Sequence, residues 1–194
     1  MAQAICNPWD NTACVGTATC PPRCPRFFDR TDAPILIEPC TKRRLDALVA
    51  MYGDLDTTYD VGGLPPRTQA ATTAWLDGLL TDGWNLIALH EERVIGHVGV
   101  ATGGEDEPEF VIFVDDAYQG RGIGTELLKQ MIAHADHRGH DALQLFVSKE
   151  NHPAISIYEN LSFEVTESRL LSIAMRLSLE APIVEEVQQP PAVQ

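Results

Sequence analysis

The residues best suited to chemistry in this chain form a glycine-rich segment, Val114 to Thr125, with the sequence VDDAYQGRGIGT. Gln119, Gly122 and Gly124 fit the pattern Q-x-x-G-x-G. The segment is typical of a strand end, a short turn and glycines that open a helix. The first turn of a helix carries unpaired N–H groups and partial positive charge, so a pyrophosphate can bind directly on a bare backbone there. The segment therefore predicts a site for a phosphate-bearing ligand.

Two common phosphate-binding loops can be compared with this segment by spacing. A Walker loop ends in Gly-Lys-Ser/Thr, whereas Gly124 is followed directly by Thr125. A Rossmann loop reads G-x-G-x-x-G and follows the first strand of a βαβ unit. Gly120 and Gly122 supply its first two glycines, but Thr125 stands in place of the third, and several strands precede the loop. The spacing excludes a Walker loop, supports a Rossmann loop only weakly, and leaves the ligand undecided.

The elements that follow the loop must position any ligand bound to it. Residues 122–138 have apolar residues at three- and four-residue spacing, which predicts an amphipathic helix. Residues 142–147 (ALQLFV) predict a buried strand. Asn151 is a good N-cap for a second helix that runs to about Leu161. Because Asn151 and Tyr158 are seven positions apart on that helix, they share one face.

Together these pieces resemble the GNAT superfamily of acyl-CoA-dependent N-acetyltransferases. The strand EFVIFV, the loop QGRGIG and the segment N-x-x-A-x-x-x-Y from Asn151 to Tyr158, closed by Phe163, occur in the family's order. The resemblance covers roughly residues 34–178. The family often has Gly-Phe where this chain has Ser162 before Phe163, which alters the expected turn but not the expected chemistry. The resemblance implies an α/β fold (α+β mixed sheet) of about seven strands flanked by four helices.

The resemblance also implies acetyl-CoA as co-substrate. Its pyrophosphate would bind the backbone of the glycine loop, where Arg121 adds positive charge or is only a solvated surface residue. Its pantetheine arm would lie along the preceding strand like an added strand. A backbone N–H of that strand would polarise the acetyl carbonyl. The residues that the resemblance assigns to the cofactor are Ile112, Phe113, Val114, Gln119, Gly120, Arg121, Gly122, Ile123, Gly124, Thr125 and Asn151.

The implied reaction is direct attack of an amine on the thioester. Tyr158 matches the family's general acid, since a phenol with a pKa of about 10 is protonated at neutral pH and can protonate the leaving thiolate. A packing role for Tyr158 is the alternative. Glu109 begins the strand that leads into the loop, where the family often places a catalytic base, although it also ends an acidic, solvated stretch. His97 is a second candidate base, and a reaction without a dedicated base stays open.

The predicted function is an N-acetyltransferase that moves an acetyl group to a primary amine: a small amine, an amino acid or a protein lysine. The alternative is a non-catalytic acyl-CoA-binding sensor, against which Tyr158 argues because a sensor needs no acid beside the thiol. Tyr59, Leu64 and Trp75 belong to the region of the first two predicted helices, which border the acceptor site in this family. Packing is the favoured explanation for these three residues, and the acceptor is not predicted.

The net charge of the chain limits the classes of partner that we expect. The 194 residues carry 14 Lys and Arg against 28 Asp and Glu, a net charge of −14, which argues against nucleic acid as a partner. The acidity either steers a cationic acceptor or suits a protein adapted to high salt. No segment has the apolar length of a membrane span, and the N-terminus lacks the features of a signal peptide, so we expect a cytoplasmic enzyme. A homodimer stays open.

The chain ends predict tails around one domain. Residues 1–33 are rich in Cys and Pro and predict a flexible tail, residues 34–178 predict the acetyltransferase domain, and residues 179–194 predict a disordered tail. Cys20 and Cys24 have a spacing that zinc could use, but no CxxC pair or nearby histidine supports a site. Three histidines near a helix end are predicted to be solvated, namely His134, His137 and His140. No metal is expected.

Overall fold

The chain folds around one mixed sheet with helices on both faces. The computed structural model describes residues 9, 11–55, 65–66, 68–102 and 107–193. The strands are β1 (Arg26–Phe28), β2 (Pro34–Pro39), β3 (Gly83–His90), β4 (Arg93–Ala101), β5 (Glu109–Val114), β6 (Ala142–Ser148), β7 (Glu164–Ser168) and β8 (Ser172–Ser178). The α-helices are α1 (Leu45–Gly53), α2 (Gln69–Asp82), α3 (Ile123–His137), α4 (His152–Asn160) and α5 (Pro182–Gln188). The predicted mixed α/β fold is confirmed, with one more strand and one more helix in the described residues than expected.

The sheet opens between its two central strands. The strand order is β1-β2-β3-β4-β5-β6-β8-β7, and every neighbouring pair is antiparallel except β5 and β6. The parallel pair has a single registered position, Glu109 opposite Gln144. Beyond it the two strands separate, so the β6-facing edge of β5 has no strand partner there. This opening, just before the glycine loop, positions the candidate site.

Alternating side chains on the inner strands pack into two apolar cores, one on each face of the sheet. Leu86 and Ala88 of β3 pack into a large cluster that also contains residues of α3, α4 and α5. Ile87 and Leu89, which point to the other face, pack into a smaller cluster with residues of α1 and α2. Because successive strand residues face opposite sides, the chain forms three layers, with α1 and α2 on one side of the sheet and α3, α4 and α5 on the other.

The predicted helices beside the site are confirmed. The helix expected over residues 122–138 is α3, and its apolar stripe is fully buried from Ile123 to Ala135. The helix expected after Asn151 is α4, and the Asn151 side chain caps it by accepting a hydrogen bond from the Ala154 N–H at 3.3 Å. Helix α3 follows the glycine loop, and helix α4 is the next element after β6. The N-terminal ends of both helices therefore meet at the opening in the sheet.

Both predicted tails are partly ordered, which corrects the expectation from sequence. The region expected to be a flexible tail contributes β1, and Arg23 there donates to both Glu126 of α3 and the carbonyl oxygen of Val187. The region expected to be disordered after residue 178 forms α5, whose Val184 and Val187 are buried. The physical reason is that a buried ion pair and two buried valines tie both ends to α3.

The expectation for the histidines near the end of α3 is also partly wrong. His134 is 9% exposed, and burial together with the neighbouring charge of Arg138 lowers its pKa to about 4. Trp84 of β3 lies beside it, with the ring centroids 6.3 Å apart, and donates its indole N–H to His140 at 3.3 Å. The Trp84 ring covers this face of α3. The spacing of the histidines in the sequence could not reveal that contact. Among the helices of the described ranges, none has the length and apolar character needed to cross a membrane.

Candidate active site

A cavity of about 450 Å³ lies where β5 and β6 separate, between the glycine loop and α4. It brings together all of the residues predicted from the sequence to bind the cofactor or act as acid, except Arg121; the candidate base Glu109 does not line it either. Those lining residues are Ile112, Phe113, Val114, Gln119, Gly120, Gly122, Ile123, Gly124, Thr125, Asn151 and Tyr158. Segments far apart in the sequence therefore converge on one site.

The floor of the cavity is the start of α3. Gly122 is the N-cap with φ +89°, a left-handed conformation that glycine adopts without strain, and it offers no side-chain cap. The N–H groups of the first helical turn, from Ile123 to Thr125, therefore have no partner within the helix. All three residues line the cavity at the positive end of the helix dipole, which suits an anionic group.

The turn before α3 is braced by its own side chains. Gln119 donates its amide N–H₂ to the Val114 carbonyl at 3.2 Å and to Asp116 Oδ1 at 2.6 Å. Asp115 accepts from the Ala117 N–H at 2.9 Å and pairs with Arg93 of β4 at 2.6 Å. The Gln119 side chain thus holds the loop in shape, and its backbone N–H also bonds within the turn, to the Asp116 carbonyl at 3.4 Å.

Arg121 does not line the cavity. Its guanidinium pairs with Asp29, with Nη2 2.6 Å from Oδ2, and donates to the Thr31 hydroxyl at 3.0 Å. It also lies over the ring of Tyr118, 4.5 Å from the centroid. The sequence could not reveal this pairing because Asp29 is 92 positions away. The guanidinium therefore anchors the N-terminal segment to the loop, and its charge is already neutralised.

Tyr158 forms one wall of the cavity from α4. Its ring packs against Phe110 of β5 and Phe163, with centroids 6.1 and 5.7 Å away. Burial raises the pKa of its hydroxyl to about 12. No hydrogen bond joins this hydroxyl to another described residue, so it is free to donate to a ligand in the cavity.

The turn after α4 fixes Tyr158 in place. The Phe163 N–H bonds to the Tyr158 carbonyl at 3.0 Å, and the Ser162 N–H bonds to the Glu159 carbonyl at 3.0 Å. These are the two bonds of a Schellman motif, and the ring contact between Phe163 and Tyr158 is its hydrophobic closure. Ser162 takes the left-handed position with φ +65°.

Glu109 lies on the opposite face of β5 from the Tyr158 wall. Phe110, next to it, contacts Tyr158, whereas Phe113, which shares the parity of Glu109, contacts Tyr52 of α1 at 5.1 Å between centroids. Because side chains alternate along a strand, Glu109 points to the side of α1 and α2. It is exposed and does not line the cavity.

His97 is held in the core and does not reach the cavity. It is fully buried, and burial lowers its pKa to about 3, so it is neutral. Its Nε2 lies 2.9 Å from Asn85 Oδ1, and its Nδ1 lies 2.7 Å from the Tyr52 hydroxyl. The Asn85 amide N–H₂ donates to Leu79, so Nε2 carries the imidazole proton and Nδ1 accepts from Tyr52. The idea that His97 acts as a base on substrate is wrong, because both nitrogens are used inside the protein.

Gly99 makes room for this buried trio. A Cβ at Gly99 would lie 2.7 Å from Asn85 Oδ1 and 3.1 Å from His97 Cε1, closer than a side chain tolerates. On the α1–α2 side, Trp75 packs edge-on against Tyr52, with centroids 5.7 Å apart, which favours the packing interpretation of Trp75. Tyr59 and Leu64 lie outside the described residues.

Sequence reasoning missed one charged residue at the site, Arg30. It lines the cavity and donates to the Gly120 carbonyl at 3.2 Å, although it belongs to the segment expected to be a flexible tail. Nothing in the local sequence around Arg30 signals this contact. Within the described ranges, no group of three or more His, Cys, Asp or Glu side chains is arranged to hold a metal ion.

Comparisons with known proteins agree with this geometry. Residues 48–163, more than half of the chain, match the model of the Acetyltransferase (GNAT) family. An uncharacterized N-acetyltransferase of Methanocaldococcus jannaschii is 46% identical over 56 residues, which is 29% of this chain and 25% of that protein. A mycothiol acetyltransferase of Saccharomonospora viridis is 32% identical over 119 residues, 57% of this chain and 37% of that protein. The chain thus spans a quarter to little more than a third of these two relatives.

A solved structure gives the same fold. A putative acetyltransferase of Salmonella typhimurium, determined with its cofactor acetyl-CoA, superimposes with a TM-score of 0.62 at 22% identity, covering 75% of this chain and 94% of that one. At that identity the likeness shows the fold alone, while the family match rests on the sequence of residues 48–163. The chain therefore belongs to the GNAT family of acetyltransferases.

Proposed function

We propose that this protein transfers an acetyl group from acetyl-CoA to a primary amine. The observation that carries the proposal is the convergence, in one cavity, of an uncapped helix start, an open strand edge and a tyrosine hydroxyl that has no partner in the part of the chain that the structure describes. Each feature suits a different part of acetyl-CoA. The relatives named N-acetyltransferase and mycothiol acetyltransferase support the reaction class and leave the acceptor open.

The uncapped turn of α3 would hold the pyrophosphate. Backbone N–H groups from Ile123 to Thr125 supply donors, and Gly122 and Gly124 leave room for close approach. The free edge of β5, from Ile112 to Val114, would pair with the amides of the pantetheine arm. Asn151, whose Oδ1 caps α4, keeps its amide N–H₂ for the same arm.

Two side chains would manage protons. Tyr158, kept protonated by its burial, would donate a proton to the leaving thiolate. Glu109 lies on the face of α1 and α2, where an acceptor can approach from the side opposite Tyr158. It would accept the proton that the amine must lose, directly or through water. This division of roles follows the two faces of β5.

The proposal is tested by an amine screen in which release of CoA is followed by thiol detection and products by mass spectrometry. The panel covers small amines, amino acids and lysine peptides. Tyr158→Phe removes the proton donor and keeps the ring contacts with Phe110 and Phe163. We expect turnover to fall by about a hundredfold or more in this variant, with acetyl-CoA affinity within about twofold of wild type.

Two outcomes would contradict parts of the proposal. Binding of acetyl-CoA without turnover on any amine would favour the non-catalytic sensor. Full turnover by Tyr158→Phe would remove the proton-donor role of the tyrosine and leave the transfer reaction standing. A parallel Glu109→Gln variant separates the two proton roles, because loss of a base lowers the rate most at low pH, where the amine is protonated.

A further inference from the structure

We propose that Arg30, from the segment that precedes β2, binds a phosphate group of acyl-CoA at the glycine loop. The proposal deepens the proposed function and rests on it. The guanidinium of Arg30 lines the cavity and lies against the loop, where a Cβ on Gly122 would be 3.8 Å from Arg30 Nε. The family pattern in the loop itself does not contain this residue.

Among the described residues, Arg30 is the cation left available at the loop. Arg121 is neutralised by Asp29, and Arg30 has no carboxylate partner within the described ranges. Its guanidinium uses one N–H for the Gly120 carbonyl and remains exposed, so its other N–H groups can reach a ligand. An arginine has five donors in a planar fork that matches the oxygens of a phosphate.

The position of Arg30 is fixed by a turn that docks on the loop. Asp29 Oδ1 accepts hydrogen bonds from the Thr31 N–H at 2.8 Å, the Thr31 hydroxyl at 2.7 Å and the Ala33 N–H at 3.1 Å. The Arg30 N–H itself bonds to the Arg121 carbonyl at 3.1 Å. The turn is therefore tied to the loop by backbone as well as side chains, and Arg30 is delivered to the cavity without a further ordering step.

The net negative charge of the protein makes a cation at the site important for binding phosphate. At a net charge of −14 the protein repels a ligand with several phosphates, and the helix dipole supplies only a partial charge. A guanidinium at the mouth of the site offsets that repulsion locally. The N-terminal segment thus becomes part of the cofactor site.

The test compares Arg30→Gln with Arg43→Gln by calorimetric titration. Glutamine keeps a polar side chain with N–H donors and removes the charge. Arg43 is exposed, takes part in no ion pair within the described ranges and does not line the cavity, so its variant changes the net charge equally. The ligands are acetyl-CoA, 3′-dephospho-acetyl-CoA and S-acetyl-pantetheine, which carries no phosphate.

We expect Arg30→Gln to bind acetyl-CoA about five- to tenfold more weakly than wild type, with a shallower salt dependence, and Arg43→Gln to bind like wild type. S-acetyl-pantetheine should bind all three proteins equally. Equal weakening for acetyl-CoA and its 3′-dephospho form assigns the contact to the pyrophosphate, and weakening for acetyl-CoA alone assigns it to the 3′-phosphate.

Two results would overturn the inference. Wild-type affinity of Arg30→Gln for acetyl-CoA, or an equal loss in Arg43→Gln, would remove the phosphate contact and leave the acetyltransferase proposal intact. Failure of folded wild-type protein to bind acetyl-CoA at all would instead sink the proposed function, and the role of Arg30 with it.

Discussion

The Arg121 guanidinium lies 2.6 Å from Oδ2 of Asp29, which joins the glycine loop to a segment 92 positions earlier in the chain. The Asp29 side chain is completely buried, and Arg121 is 22% exposed. This pair turns an arginine expected to bind ligand into an anchor, and it brings Arg30 to the cavity. The N-terminal segment and the glycine loop are therefore one structural unit.

Asp29 makes stability depend on pH in the acid range. Burial disfavours its charge, but hydrogen bonds from Thr31, Ala33 and Arg121 outweigh that effect and lower its pKa from 3.8 to about 2. Since the folded pKa lies below the unfolded one, the stabilisation is complete above about pH 4 and is lost as the pH falls toward about 2. We expect a contribution of about 2 kcal/mol.

The measurement is urea unfolding between about pH 2 and pH 6, comparing wild type with Asp29→Asn. The variant should be less stable above about pH 4 and should lose less stability on acidification. Parallel curves for the two proteins across this range would contradict the role of the carboxylate.

Tyr158 predicts the alkaline side of the rate profile. With a pKa of about 12, its hydroxyl stays protonated through pH 10, so the proton donor that we propose is not lost by titration. Turnover should rise with pH as the amine deprotonates. The rate should show no decline at any pH up to about 10. Initial rates from about pH 6 to pH 10 check this. A descending limb within that range that Tyr158→Phe abolishes would contradict the raised pKa.

Ser162 carries strain that glycine would relieve. Its φ of +65° closes the Schellman motif after α4, and a left-handed residue with a Cβ costs about 1 kcal/mol relative to glycine. We expect Ser162→Gly to raise the free energy of unfolding by about that amount. Ser162→Ala, which keeps the Cβ, is the matched control and should give no such gain. A loss of stability in Ser162→Gly would contradict the assignment.

The buried imidazole of His97 depends on the Tyr52 hydroxyl. Tyr52→Phe leaves Nδ1 of a fully buried ring without a donor, which we expect to cost about 1–3 kcal/mol of unfolding free energy. Tyr118→Phe is the control, because its hydroxyl bonds to His90 at 3.0 Å in a partly exposed position where water can replace it. Equal stability losses, measured by urea unfolding, would contradict the importance of burial.

The site was predictable where its determinants are local. The glycines of the loop, the Asn151 cap and Tyr158 on the same helical face as Asn151 are encoded within about 45 residues of one another. Their convergence in one cavity also depends on how the strands of the sheet pair. Prediction of the parallel pairing of β5 with β6 needed the family resemblance, since a short apolar run does not indicate which strand it pairs with.

The rest depended on contacts between distant segments. Arg23 contacts Glu126, 103 positions away in the sequence, and Arg30 contacts Gly120, 90 positions away. No periodicity in the sequence predicts such pairs. The helix α5 buries only Val184 and Val187, too few apolar residues to stand out from a Pro- and Gln-rich end. His97 was misjudged because β4 is buried on both faces, so alternation could not separate a core position from a cavity position.

The central claim is that the loop at the start of α3 binds acetyl-CoA, and calorimetric titration tests it most directly. Gly124→Glu is the variant of choice, because a Cβ there meets only Val114 Cγ2 at an ordinary 3.6 Å, while Gly122 and Gly120 need positive φ. Gly124→Ala controls for bulk. We predict about one equivalent of acetyl-CoA bound by wild type, modest weakening in Gly124→Ala and loss of binding in Gly124→Glu. Absence of binding by folded wild type, or wild-type affinity in Gly124→Glu, would contradict the account.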